Sequence, residues 1–160
     1  MKFEHLIEIN DIMNPLLDQL TREQLWAGLV LRAESPKLFV PHLDDSEISA
    51  RTATSMQRKL RYGDLVVQDT VTLDPMDSLT FDVSAQENIL ASSLVMTIEE
   101  PGNGNLYVRF AYDDGADAAS DAANEMYNDF KRSAYVEADI DTIRIIREMA
   151  DQGRLGASLN

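Results

Sequence analysis

The feature that most constrains the fold is a long stretch, from Glu47 to about Tyr112, in which helical periodicity is absent. Turn-forming residues recur within it at 63–64, 74–77, 85–88 and 101–105. Short runs rich in Val, Thr, Leu, Phe and Tyr lie between these turns, which is typical of strands. We therefore expect about six successive antiparallel strands joined by tight turns.

Other elements flank this stretch on both sides. The alternation from Lys2 to Ile9 predicts a first strand with one buried face. A capping box at Thr21–Gln24 predicts the start of a short helix, and Ser35-Pro36 predicts a second, very short one. After the strands, an amphipathic pattern from about Ala119 to Gln152 predicts one long helix that ends at Gly153.

The order of these elements predicts an α+β fold. An antiparallel sheet of about seven strands curls, because the twist of its strands accumulates. A long C-terminal helix with an apolar stripe can cover the concave face that results. We expect one domain spanning residues 1–160, with a ligand cavity in the space left between the sheet and the helix.

The last predicted hairpin can be given a register. If its loop runs from Glu99 to Asn105, Met96 faces Val108 across the two strands. One face of this hairpin is then almost wholly apolar and is expected to lie against the core.

The charge of the chain limits its partners. The chain has 28 acidic and 14 basic residues, which gives a formal charge of −14. Such a surface repels phosphate, so we expect no nucleic-acid partner and no attraction to anionic membranes. No run approaches the roughly 20 apolar residues of a membrane span, and "MKFEHLIEIND" lacks the apolar run of a signal peptide. We predict a cytoplasmic protein without membrane insertion.

The residue types present exclude several kinds of site. The chain has no cysteine, so disulfides, thiolate catalysis and the usual zinc sites are excluded. The two histidines fall on different elements, and we expect no metal and no cofactor. No G-x-S-x-G motif is present to suggest a nucleophilic serine. An exposed sheet edge can support a homodimer.

The hairpin at 55–74 carries a charged pair on its apolar face. With Gly63-Asp64 as a two-residue loop, Arg58 lies directly opposite Asp69. One interpretation is a structural ion pair, worth about 0.2–1 kcal/mol near a sheet edge. The other is a pair lining a hydrated cavity, in which Arg58 holds a carboxylate, phenolate or carbonyl of a ligand and Asp69 orients Arg58.

His5 lies among apolar residues on the inward side of the first strand. It is interpreted either as a buried, hydrogen-bonded histidine or as a cavity-lining acid or base. The larger inward residues are read either as core or as cavity lining. The candidate ligand-binding set is His5, Trp26, Phe39, Arg58, Leu60, Asp69, Phe81, Met96, Phe110, Met126 and Phe130. The candidates for catalysis are His5, Arg58 and Asp69.

Three blocks of the sequence resemble one known family. They are "MKFEHLIEIND", "LTREQLWAGLVLRAESPKLFVPHLDD" and "YVEADIDTIRIIREMADQGRL", and they are similar to the AtaL-like branch of the START/Bet v 1-like (SRPBCC, polyketide cyclase-like) superfamily. The resemblance covers nearly the whole chain and implies a helix-grip fold, a curved sheet wrapped around a long C-terminal helix. Members of the superfamily bind lipids, sterols, polyketides and aromatic compounds, and some catalyse cyclisation or dehydration.

Three hypotheses of function follow. The first is the binding of a small hydrophobic or aromatic molecule, lipid- or polyketide-like, whose polar or anionic group contacts Arg58, Asp69 and His5. The second is a polyketide cyclase or dehydratase, in which Arg58 polarises a carbonyl and His5 or Asp69 moves a proton. The third is an interaction module whose interior is filled by its own side chains and which works through its surface.

Overall fold

The computed structural model describes residues 1–155, and their strands form one seven-stranded sheet in the order β1-β7-β6-β5-β4-β3-β2. The strands are β1 (Lys2–Asn10), β2 (Asp45–Ser49), β3 (Ser55–Tyr62), β4 (Leu65–Asp74), β5 (Ser78–Val83), β6 (Ser92–Gly102) and β7 (Asn105–Asp113). Every neighbouring pair is antiparallel. The prediction of an α+β helix-grip fold with about seven strands is confirmed.

Two helical segments follow β1, as predicted. They are α1 (Arg22–Glu34) and a single 3-10 turn (Pro36–Leu38). The capping box is present. The backbone N–H of Gln24 donates to the Thr21 hydroxyl at 3.0 Å, and the backbone N–H of Thr21 donates to the Gln24 side-chain oxygen at 3.0 Å. These two bonds satisfy backbone N–H groups that have no partner inside the helix.

The C-terminal helical region consists of two helices rather than the single helix predicted from Ala119. They are α2 (Ala118–Ala123) and α3 (Glu125–Asp151). Asn124 interrupts them with a backbone φ of −120° and ψ of 32°, outside the helical region. Gly153 then adopts a φ of 71°, and the chain leaves the helix there, as expected for glycine at a C-terminus. No helix in residues 1–155 is long and apolar enough to cross a membrane.

The core lies between the concave face of the sheet and the helices α1 and α3. Phe110 of β7, Leu29 of α1 and Ile146 of α3 are fully buried there. Gly28 allows α1 and α3 to approach closely, because a Cβ at this position would lie 2.6 Å from Cγ2 of Ile146. The absence of a side chain at residue 28 therefore sets how near the two helices lie.

The two hairpins for which a register was predicted gave different outcomes. In β3–β4, Arg58 pairs with Asp69 as predicted. In β6–β7 the predicted register is wrong, since Met96 pairs with Phe110 instead of Val108. The strands continue past Glu99 to a tight turn between Gly102 and Asn105, which moves every partner by two residues. A shift of two leaves each side chain on its predicted face of the sheet.

The prediction that Met126 and Phe130 face inward is wrong. Their exposed fractions are 88% and 71%, whereas Asn128 and Asp139 of the same helix are buried. Asn128 hydrogen-bonds to Asp121 of α2, and Asp139, near the middle of α3, bonds to His5 of β1 and Tyr112 of β7. Met126 and Phe130 lie on the exposed side of the first half of α3.

Candidate functional site

Arg58 and Asp69 form a buried ion pair in the structure. Arg58 Nε donates to Asp69 Oδ1 at 2.9 Å, and Nη2 donates to Oδ2 at 2.5 Å. The third nitrogen, Nη1, donates to the carbonyl of Ala33 at the end of α1, at 3.0 Å. The guanidinium also lies 5.0 Å from the centre of the Phe81 ring. Because each nitrogen already donates within the protein, these contacts favour the structural interpretation of the pair.

A second polar cluster, partly buried, joins β1, β7 and α3. His5 Nε2 and Asp139 Oδ2 lie 2.6 Å apart in a hydrogen bond, and the Tyr112 hydroxyl donates to Asp139 Oδ1 at 2.7 Å. The His5 ring stacks between Phe3 and Phe110, with centroid distances of 5.5 and 5.4 Å. Both carboxylate oxygens are thus engaged, and the imidazole is held in one orientation. We call His5, Asp139 and Tyr112 the polar triad.

Burial shifts the pKa of the Asp139 carboxyl and of the Tyr112 hydroxyl. It raises the pKa of the Asp139 carboxyl above its usual range, and the bonds from Tyr112 and His5 oppose the shift without cancelling it. Burial also raises the pKa of the Tyr112 hydroxyl, and the nearby charge of Asp139 adds to this shift. Tyr112 therefore keeps its proton at neutral pH and can donate it in a hydrogen bond.

A cleft of about 430 Å³ opens between the sheet and α3 beside the triad. Tyr112 belongs to both, since its ring lines the cleft and its hydroxyl contacts Asp139. Tyr135 of α3 stacks on Tyr112 with a centroid distance of 3.9 Å. The apolar and aromatic residues that line the cleft are Phe81, Val83, Leu90, Leu94, Tyr112 and Tyr135, and the polar ones are Ser92, Ser93, Asp113 and Asp114. A largely apolar lining with a few polar groups is usual for sites that bind small molecules.

The residues predicted from the sequence are distributed over the whole molecule. His5 lies in the polar triad and Phe81 lines the cleft. The remaining inward candidates lie in or against the core; these are Trp26, Phe39, Leu60, Met96 and Phe110. Met126 and Phe130 lie outside, with Tyr127, in a shallow surface cleft. The structure therefore does not bring the predicted set together at one site.

Sequence reasoning missed Asp139, Tyr112 and Tyr135. A signal existed for Asp139, because it precedes the buried residues Ile143 and Ile146 by four and seven positions and so shares their helix face. An acidic residue on an apolar stripe indicates a buried partner. Among the described residues, no group of three or more His, Cys, Asp or Glu side chains is arranged to hold a metal ion.

Comparisons with solved structures show a widely shared fold. The di-domain aromatase/cyclase StfQ from the steffimycin pathway matches with a TM-score of 0.65 and 9% identity, over 94% of this chain and 51% of that one. A point mutant of norcoclaurine synthase from Thalictrum flavum, bound to a transition-state analogue, matches with a TM-score of 0.65 and 9% identity, over 94% and 96% of the two chains. This chain spans about half the length of the di-domain aromatase/cyclases it matches.

The aromatase/cyclase Zhui from Streptomyces sp. R1128 matches with a TM-score of 0.59 and 12% identity, over 95% of this chain and 94% of that one. A search of curated proteins finds no match. The family model of the acetylaranotin biosynthesis cluster protein L, AtaL, matches residues 7–153. A match over nearly the whole chain shows that this protein belongs to the AtaL family of Bet v 1-like, polyketide cyclase-like proteins.

Proposed function

We propose that this protein binds a small hydrophobic or aromatic molecule in the cleft between the sheet and α3. The observation that carries the proposal is the position of Tyr112, whose ring lines the cleft while its hydroxyl contacts the buried Asp139. An aromatic ligand packs against Tyr112 and Phe81, and its polar group meets the triad at the inner end. The aromatase/cyclases and the synthase that share the fold act on or bind small molecules according to their names, which supports the proposal.

Native mass spectrometry of the freshly purified protein, with and without a panel of aromatic and fatty acids, tests this proposal. We expect a bound mass on the wild-type chain that is lost in Leu94→Trp, because the larger ring fills the cleft. The matched control is Leu65→Trp, whose position is exposed at the β3–β4 turn, away from the cleft. The proposal fails if the wild type gains no mass, or if Leu94→Trp retains it.

The polar triad favours a second candidate, an enzyme of the cyclase or dehydratase type. Asp139 lies between an imidazole and a protonated phenol, so a proton could be exchanged among three groups, of which Tyr112 also lines the cleft. This arrangement retains His5 from the predicted catalytic candidates and adds Asp139 and Tyr112. Arg58 and Asp69 are bonded to each other, and Arg58 also donates to the carbonyl of Ala33.

Comparing the compounds released from the wild type and from His5→Gln separates the two candidates. An enzyme that dehydrates its ligand should release a product that is lighter by one water than the compound held by His5→Gln. A binding protein should release the same compound from both. The interaction-module hypothesis requires a filled interior, and the cleft lined by Leu94 and Tyr112 argues against it.

A further inference from the structure

Arg32 of α1 lies on the inward face of its helix. It follows Gly28 by one helical turn and Leu25 by two, and both of these residues are buried. Gly28 in turn faces Ile146 of α3 at close range. The Arg32 side chain therefore points towards the interior of the fold, on the side of α1 that faces α3.

The guanidinium of Arg32 has no hydrogen-bond or ion-pair partner among residues 1–155. Its Nε is buried without a hydrogen bond, and no nitrogen of Arg32 forms a hydrogen bond or ion pair with any residue in the range 1–155. Arg58, in contrast, uses all three of its nitrogens. Burial lowers the pKa of Arg32, and the positive charge of Arg58 lowers it further. The residue as a whole is half-buried, and a charged group whose Nε is buried without a hydrogen bond carries an uncompensated cost of desolvation.

The groups around Arg32 come from opposite sides of the sheet. Its charge interacts with Tyr112 of β7, with Tyr62 of β3 and with Asp139 of α3. Since β3 and β7 are separated by three strands in the sheet, a position near both lies inside the curl. Asp139 does not form an ion pair with Arg32, because its oxygens are bound by His5 and Tyr112. Within residues 1–155, Arg32 therefore has no hydrogen bond or ion pair to the polar triad.

We propose that Arg32 binds an anionic group of the ligand, so that the ligand is an aromatic or hydrophobic acid. This inference rests on the proposed binding function and deepens it. A carboxylate, sulfonate or phenolate beside Tyr112 would accept hydrogen bonds from the free nitrogens of Arg32, and the planar guanidinium matches such groups in two-point contacts. The role that the sequence suggested for Arg58 then belongs to Arg32.

Two fluorescent probes that differ in one group test this assignment. These are 8-anilino-1-naphthalenesulfonate, which is anionic, and N-phenyl-1-naphthylamine, which is the same ring system without the sulfonate. Titration of wild type, Arg32→Met and Arg32→Lys gives a dissociation constant for each probe. Arg61→Met is the matched control, because Arg61 is an exposed arginine on the outer side of β3.

We expect Arg32→Met to weaken binding of the sulfonate by about tenfold or more and to leave the neutral probe within about twofold. Arg32→Lys should retain part of the preference for the sulfonate, and Arg61→Met should behave as the wild type. Without ligand, Arg32→Met should melt at the same temperature as the wild type or higher, because an unpaired charge has been removed from the interior.

Two results would overturn the assignment while leaving the proposed function intact. One is a sulfonate affinity that does not change, or that changes as much as that of the neutral probe. The other is a lower melting temperature of unliganded Arg32→Met, which would assign the guanidinium to the fold. Failure of both probes to bind the wild type would reject the binding function together with the inference that rests on it.

Discussion

Arg58 and Asp69 stabilise the fold only as a pair, because each is buried and each would lose its counter-charge without the other. We expect Asp69→Asn to lower the free energy of unfolding by about 3–5 kcal/mol, since it leaves Arg58 uncompensated. The double variant Arg58→Met/Asp69→Leu should be neutral or more stable by about 1–4 kcal/mol. Urea denaturation measures both. A cost below about 1 kcal/mol for Asp69→Asn would show that the pair is hydrated.

Asp139 makes the free energy of unfolding depend on pH, and the direction of its pKa shift sets the sign of that dependence. Its pKa is raised in the folded state, while an unfolded aspartate has a pKa of about 3.9. The folded state therefore binds this proton more tightly, and its contribution to stability is lost as pH rises from about 4 through the folded pKa. Relative to Asp139→Asn, the wild type should lose stability over that interval.

Urea unfolding of the wild type and of Asp139→Asn at several pH values across the interval measures this difference. A constant difference between the two chains would mean that Asp139 binds its proton equally well folded and unfolded.

The two polar clusters differ in how far they can be derived from the sequence. Arg58 and Asp69 belong to one hairpin, so alternation and a two-residue turn are enough to place them opposite each other. His5 and Asp139 belong to the first strand and the last helix. Their contact depends on the packing of α3 against β1, which no local pattern encodes.

Among the elements, α3 shows how an apolar pattern can mislead. The sequence pattern selected Met126 and Phe130 as inward because they are apolar and spaced by one turn. The structure buries Asn128 and Asp139 instead, because Asn128 has a hydrogen-bond partner in Asp121 of α2 and Asp139 has partners in His5 and Tyr112. Hydrophobic periodicity predicts the buried face only where that face contacts an apolar surface.

Two phenylalanines provide a direct test of the face that α3 presents. Phe110 is fully buried on β7, and Phe130 is 71% exposed on α3. We expect Phe110→Ala to cost about 3–5 kcal/mol of stability and Phe130→Ala to change it by less than about 0.5 kcal/mol. Thermal or urea unfolding of the two variants decides this. Similar losses in both would mean that the first half of α3 packs through Phe130.

The predicted register of β6–β7 is wrong because the predicted loop is too long. Asn103-Gly104 is a two-residue loop of the type that most strongly favours a hairpin, but the predicted loop was longer. Pro101 lacks the N–H needed for a regular ladder, and the pairing is irregular between Glu99 and Gly102. The irregularity obscured the correct turn without changing which side chains face the core.

For the molecule as a whole, the order of elements was sufficient to predict the architecture. A curled sheet and one long helix leave few ways to bury both apolar faces, so boundaries that are slightly wrong do not alter the fold. The site is different, because His5, Tyr112 and Asp139 come together only after the sheet has curled and α3 has packed against it. Solved structures with 9% identity share this fold, which agrees with an architecture that depends on pattern more than on particular residues.

The sheet joins the two strands that are farthest apart in the chain. Phe3 of β1 pairs with Tyr112 of β7, whereas β2 to β7 each pair with a neighbour in sequence. On a ribosome, β1 emerges roughly 5–20 s before its partner, at typical rates of synthesis. During that time it is an unpaired strand with an apolar face, which is the form most prone to aggregate. The hairpins of β2 to β6 can pair while the chain is being made, whereas β1 can join the sheet only after β7 has emerged.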